Sequence, residues 1–488
     1  MSVMKSLLET VVQFMPDKER DSLLDHPGFL GRSLHRVDGP LKVTGHAPFT
    51  AEFEVADVAH AVLVHSTIAK GKVSKIDTER AKRAGGVLEI FTHRNMPDLA
   101  TPPLVDITDL KKGMAASDLP ILQDPSVHWD GQPIAVVVAE TLEQAEHAAS
   151  LVEVEYKVDA ATVSFDVMKD GAFAPSDVMG EPAVVRIGNF EEGMAAADVR
   201  VDHVYRTPRY NHNAIEPHAT IAWWNDGNLV VLESSQSVFT TAASLALIFK
   251  IKPDQVQVIS PFVGGGFGGK GGLWNHTPLC AAAAKALKRP VKLSLSRAGV
   301  YRTVGGRTLA EQRVALGASK DGKLSALLHS CVTATTGHGR YAEQCTFPAR
   351  HLYACPNILI DQKIVHLDTI ANTWMRAPGE SIGTFALESS LDELAYALRM
   401  DPMEVRRLNE PEKDPTKDTE FSSRHLTEAY RTGAEKFGWN SRHPEPRSHR
   451  AGKWLIGQGV ATAYYPFFRF PVKARVCVFA NGDRKSVV

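Results

Sequence analysis

Cysteine is scarce in this chain: five residues in 488 (Cys280, Cys331, Cys345, Cys355 and Cys477), none in a C-x-x-C pair. That spacing writes neither a zinc site nor an iron–sulfur cluster. An odd, sparse set also suits a reducing compartment or unpaired thiols. Net charge is nearly absent too, with 55 basic and 56 acidic side chains. No overall footprint points to nucleic acid or an anionic membrane, so any anion site must be local. No apolar run resembles a membrane span. The apolar spacing of "MSVMKSLLETVVQFM" is interrupted by Glu9 and Gln13, which leaves no secretory signal core. A last absence is local: no acidic residue stands between Asp254 and Glu311.

What is present is ordinary globular material, 44% hydrophobic and 23% charged, long enough for two to four domains. Residues 1–36 read as an arm, a short amphipathic helix and a polar connector. Residues 37–165 read as a first domain of mixed α+β or α/β type. There "HAVLVHST" and "GVLEIFTH" have strand character, and Ile134–Val138 leads to Thr141, a helix cap with Gln144 as its capping-box partner. Val152, Val154 and Tyr156 then alternate as a strand. A second region, 180–445, alternates strands ("NLVVLESSQ", "VQVISPFV") with helices expected to start at Thr277 and at Asp401 before Pro402. Residues 446–488 open a third domain. "KARVCVFA" followed by "NGD" signals a hairpin, yet the sequence ends after "RKSVV". The expectation is a truncated chain or N-terminal fragment.

The densest signal is "SPFVGGGFGGKGG", Ser260–Gly272, with seven glycines in thirteen residues. Glycines let backbone N–H groups approach an oxyanion, so strand, bare loop and helix make an anion cradle. Two formal motifs overlap there and both fail. Lys270 is followed by Gly271, where a P-loop needs Ser or Thr. The dinucleotide fingerprint needs an acid about twenty residues on, and none exists. What remains is a cradle for a phosphate-bearing group, in a stretch whose lysines and arginines, from Lys270 to Arg307, have no opposing charge nearby in sequence. The competing reading is a packing turn with solvated bases.

In "NTWMRAPGES", Pro378 and Gly379 hold an irregular turn before a helix whose expected apolar stripe is Ile382, Phe385, Leu391, Leu394 and Leu398. Arg376 in that turn suits an oxo-anion or phosphate; alternatively it ties down its own loop through carbonyls. In "HNAIEPHAT", His212, Glu216 and His218 are metal-capable types, but Pro217 and the spacing argue for a structural turn.

Together "GRSLHRVDGPLKVTGHAPFTAEF", "YNHNAIEPHATIAWW", "LESSQSV", "SPFVGGGFGGK" and "WMRAPGESIGTFALESSLDELAYALRMDPMEVRRLN" resemble the molybdopterin-binding large subunit of the xanthine dehydrogenase and aldehyde oxidase family, over residues 30–480. The resemblance implies an α/β hammerhead domain followed by molybdopterin-binding domains, the last incomplete. It implies a molybdenum–molybdopterin cofactor with a phosphate or dinucleotide tail. Gln236 then matches the glutamine near the molybdenum, Gly266, Phe267 and Gly268 match the loop that touches the metal's ligands, and Arg376 matches the cofactor arginine. No protein metal ligand is implied.

The implied activity hydroxylates an aldehyde or small aromatic N-heterocycle with water as the oxygen source. The xanthine-oxidising branch has a glutamate after the loop lysine, where this chain has Gly271, which disfavours a purine. The family's glutamate base lies in a C-terminal glycine-rich motif, expected beyond residue 488, so the chain alone is expected to be inactive. Electrons would pass to separate [2Fe–2S] and FAD subunits, in a heterotrimer able to oligomerise. The expected location is the cytoplasm, or the periplasm if a partner carries export. Two other readings stand beside this: a non-catalytic remnant that holds cofactor or scaffolds partners, and an NADP-dependent dehydrogenase using the glycine loop.

Overall fold

The computed structural model describes residues 31–105 and 112–466, and the backbone of two strands at 475–478 and 484–487. The chain forms two compact units, 1–48 and 49–488. In the first, Gly39–Val43 make a short helix, and Asp38 at its N-cap pairs with Arg36 and Lys42. The helix expected at the start of the arm lies outside the described residues.

In the second unit the hammerhead-like part supplies strands β1 (Ala59–His65), β2 (Gly71–Asp77), β3 (Val87–Thr92), β4 (Ser126–Val127), β5 (Pro133–Ala139) and β6 (Glu153–Val158), with helix α1 (Leu142–Ser150). Next come β7 (Val184–Ile187), β8 (Val199–Thr207), β9 (Ala219–Asn225), β10 (Asn228–Glu233), α2 (Val238–Phe249) and β11 (Val256–Ile259). After these follow α3 (His276–Leu287), β12 (Val291–Ser294), α4 (Arg297–Thr303), β13 (Ala310–Ala318), β14 (Leu324–Thr335) and β15 (Ile358–His366). The long helix α5 (Glu380–Leu398) and α6 (Pro402–Leu408) come later.

The uninterrupted apolar run of β5 is buried along its whole length, as a strand with both faces covered must be. It sits inside a seven-stranded mixed sheet of order β11-β10-β9-β12-β1-β5-β3. The seam is the parallel pair β1/β12, with Ala59 opposite Val291 and Ala61 opposite Leu293. Strands from both sides of the sequence boundary at residue 165 therefore share one sheet and one core. Helix α3 lies close against this sheet because Ala281, Ala282, Ala283 and Ala284 put only methyl groups in between. A second sheet, β7-β15-β14-β13-β8, carries α5 and a core of its own.

The caps read from sequence form at α1 and α6: Thr141 and Gln144 exchange bonds, and Asp401 accepts from the Met403 N–H at 2.8 Å. At α3 the expectation is corrected. Asn275 is the N-cap, and the Thr277 hydroxyl donates to Glu233 at 3.2 Å. On α5, Ile382, Leu391 and Leu394 are buried, but Phe385 is 47% exposed and meets Tyr205 edge-on. Burial of α5 needs a narrower stripe than the sequence offered. Cys331 and Cys345 are joined as a disulfide, correcting the unpaired reading, while Cys280 and Cys355 are free and buried. The strands 475–478 and 484–487 pair antiparallel as the hairpin pattern expects; the Asn-Gly turn lies outside the described residues.

Candidate functional site

The glycine run leaves the end of β11, an edge strand of the seven-stranded sheet, and leads into α3. Its conformation explains its composition. Gly268 has φ +101°, and a Cβ there would lie 2.4 Å from the Trp374 carbonyl oxygen. Phe267 itself adopts the left-handed conformation at φ 52°, which costs a side-chain-bearing residue about 1–2 kcal/mol. The neighbouring loop compensates: the Arg376 N–H donates to the Phe267 carbonyl at 2.9 Å. The two loops singled out by sequence are thus joined backbone to backbone.

Inward-facing groups fix the rest of the run. Lys270 is buried, and its ammonium donates to a Glu216 carboxylate oxygen at 2.7 Å and to the Glu216 carbonyl at 3.0 Å. The same carboxylate oxygen accepts from the Gly264 N–H at 2.7 Å. Burial pulls the Lys270 pKa down and the Glu216 charge opposes this. Gln236 Oε1 accepts from the N–H groups of Gly268 (3.0 Å) and Lys270 (3.3 Å), which leaves its Nε2 facing away with no partner among the described residues. The Gly269 carbonyl accepts from Trp274 Nε1 at 2.8 Å and His218 Nε2 at 3.0 Å.

By contrast, the N–H groups of Gly265, Gly266 and Phe267 have no acceptor among the described residues, and Gly266 is buried. Three consecutive N–H groups without an acceptor among the described residues can serve an anion or an electronegative ligand. Gly268→Ala is expected to destabilise the chain by more than about 1 kcal/mol. Gly272→Ala, where a Cβ would meet nothing closer than 3.4 Å, should change the thermal unfolding midpoint little.

The Arg376 loop is held from beneath. Arg307, 5% exposed, donates from Nη2 to the carbonyls of Met375 (2.7 Å), Arg376 (2.7 Å) and Ala377 (3.0 Å). Its Nε meets Glu343 Oε1 at 2.8 Å, and that oxygen also accepts from the Gly379 N–H at 2.9 Å. Arg307, not Arg376, is the arginine that ties the loop down through carbonyls. The Arg376 guanidinium is left exposed, with no partner among the described residues.

The sequence had suggested that the bases between Lys270 and Arg307 lack opposing charge. For four of them the fold supplies it from elsewhere: Glu216 for Lys270, Glu140 and Asp57 for Arg289, Asp130 for Arg302 and Glu343 for Arg307, whereas Lys292 and Arg297 donate to backbone carbonyls. His212 and His218 donate to the carbonyls of Trp374 (2.9 Å) and Gly269, and burial holds both imidazoles below their usual pKa. Among the described residues no group of three or more His, Cys, Asp or Glu could hold a metal ion. Trp374 and Glu343 are site residues that the sequence did not assign; Arg307 stood there only as one base among several, and Glu216 only as a metal-capable type in a structural turn.

Comparison with known proteins defines the class. Residues 174–410 match the molybdopterin cofactor-binding domain, and residues 44–160 match the aldehyde oxidase and xanthine dehydrogenase a/b hammerhead domain. The chain belongs to the aldehyde oxidase and xanthine dehydrogenase family and carries its hammerhead and molybdopterin cofactor-binding domains. It is 36% identical over 462 residues to the aldehyde oxidoreductase molybdenum-binding subunit PaoC of Escherichia coli, covering 94% of this chain and 61% of that one. It is 29% identical over 454 residues to the putative xanthine dehydrogenase molybdenum-binding subunit XdhA of Escherichia coli, covering 90% and 60%. Among solved structures it resembles the aldehyde oxidoreductase of Desulfovibrio gigas, with a TM-score of 0.70 and 26% identity over 83% of this chain and 47% of that one. The chain thus spans about three fifths of the length of the curated relatives it matches.

Proposed function

We propose that this chain binds a molybdenum–molybdopterin cofactor where the glycine run meets the Arg376 loop, and serves the water-dependent hydroxylation of an aldehyde or a small aromatic N-heterocycle. The observation that carries this reading is the set of donors without a partner among the described residues beside the Arg376–Phe267 joint: three backbone N–H groups, Gln236 Nε2 and the Arg376 guanidinium. Such donors suit an anionic or oxo-bearing group, and no acidic side chain among them opposes it. When bound, the molybdenum–pterin group would supply the two-electron redox centre.

The chain's own residues do the rest. The N–H groups of Gly265–Phe267 and Gln236 Nε2 would bind electronegative atoms of the cofactor, and Arg376 would hold an anionic part. The buried Glu216–Lys270 pair keeps the loop from collapsing into those positions. An aldehyde is the favoured substrate, supported by the 36% identical relative from Escherichia coli, an aldehyde oxidoreductase subunit, and by Gly271 following the loop lysine. The five scattered cysteines offer no cluster ligands, so electrons would leave through iron–sulfur and flavin partner subunits.

The test is cofactor retention. The chain, produced in a host that makes molybdopterin, should co-purify with molybdenum and fluorescent pterin. Loss of a charged hydrogen bond worth about 1.5–3 kcal/mol should cut retention by Arg376→Ala roughly tenfold or more. Equal retention by the variant, or none by the parent chain, would overturn the assignment.

A further inference from the structure

Behind the Arg376 loop lies a buried cluster whose charges do not balance. Glu343 and Glu380 are each 1% exposed and Arg307 is 5% exposed. Arg307 binds Glu343 Oε1, whereas Glu343 Oε2 and both oxygens of Glu380 have no hydrogen-bond partner among the described residues. The other groups facing this space are Gln344, whose Oε1 is also unpartnered, and the hydroxyls of Tyr341 and Tyr464. No second cation reaches Glu380 within ion-pairing distance among the described residues. Two ionised carboxylates against one guanidinium would leave a net buried negative charge, which a protein interior disfavours strongly.

We propose that Glu343 and Glu380 share one proton, resting on Glu380, and that this proton keeps the Arg376 loop docked. Glu343 Oε1 already accepts from Arg307 and from the Gly379 N–H, so the carboxyl that meets neither of these donors is Glu380. Glu380 begins α5, and the next residue, Ser381, accepts from Arg307 Nη1 at 3.1 Å. Once ionised, Glu380 competes for the guanidinium that holds the carbonyls of Met375, Arg376 and Ala377. Glu380 is thus a positioning residue that acts through Arg307, and rising pH releases the loop.

Burial pushes Glu380 from 4.5 up to about 7, against weak donation from its own N–H and the Gln344 side chain and with the Glu343 charge adding to it. A carboxyl raised on folding binds a proton that the unfolded chain has released. Its contribution is therefore intact below 4.5 and is lost as pH rises towards 7. This inference rests on the cofactor-loop reading but is tested without cofactor, so failure of one leaves the other standing.

The experiment is amide hydrogen exchange of the peptide spanning 372–381 in the full chain, compared at each pH with Glu380→Gln. The ratio of the parent rate to the variant rate should be near one at pH 5 and rise on the order of tenfold by pH 8. Glu343→Gln, which leaves Arg307 and an ionised Glu380 as a neutral pair, should flatten the same profile. A ratio independent of pH, or a Glu343→Gln profile as steep as the parent's, overturns the proposal.

Discussion

Lys270→Met will be among the most damaging single substitutions in this chain, destabilising it by about 3–5 kcal/mol, the usual consequence of leaving one member of a buried ion pair alone. The Lys270 side chain is 0% exposed and that of Glu216 is 7% exposed, so water cannot solvate the carboxylate that remains. Glu216 would also keep pulling on the Gly264 N–H without the ammonium that balances it. The double variant Glu216→Gln/Lys270→Met removes the orphan charge and should recover much of the loss. Thermal unfolding midpoints of parent, single and double variants check this. A double variant as unstable as the single would show that packing of the lysine stem, not charge, holds the loop.

Arg307→Met is the second. It removes every bond from one guanidinium to the carbonyls of Met375, Arg376 and Ala377, and it strands Glu343, whose side chain is 0% exposed. A cost of about 3–5 kcal/mol is again expected. Arg307→Lys keeps the charge but has a compact ammonium in place of a planar fork, so it cannot reach the carbonyl row and Glu343 together. It should keep most of the stability and lose molybdenum and pterin retention, because the Arg376 loop is no longer shaped. Unfolding midpoint and metal content, measured on the same preparations, separate the two effects.

Much of the site was legible in the sequence, for a local reason. Glycine density at 264–272 reports backbone conformation and close approach, and Gly268 does carry φ +101° with no room for a Cβ. Arg376 was read from its own turn and Gln236 entered through resemblance, and the structure places both against the glycine run, Gln236 by its amide and Arg376 by its backbone. The basic stretch was the misleading feature. Counting charges along the chain could not see Glu216, which is 54 positions from Lys270, or Glu343, which is 36 from Arg307. The Thr277 cap failed similarly, since a hydroxyl that could cap locally found Glu233 instead.

By itself the sequence determined what depends on neighbouring residues: the buried run of β5, the Thr141 and Asp401 caps, and a loop too rich in glycine to be anything but a close-approach turn. Those follow from side-chain periodicity, local hydrogen bonding and allowed φ values, all within one turn or strand. Only the tertiary structure decided that β1 and β12 join the two regions in one sheet, that Lys270 and Arg307 face inward, and that the Arg376 guanidinium has no partner among the described residues. Those outcomes turn on which distant groups a charge meets when it loses water, and a linear sequence does not hold that pairing.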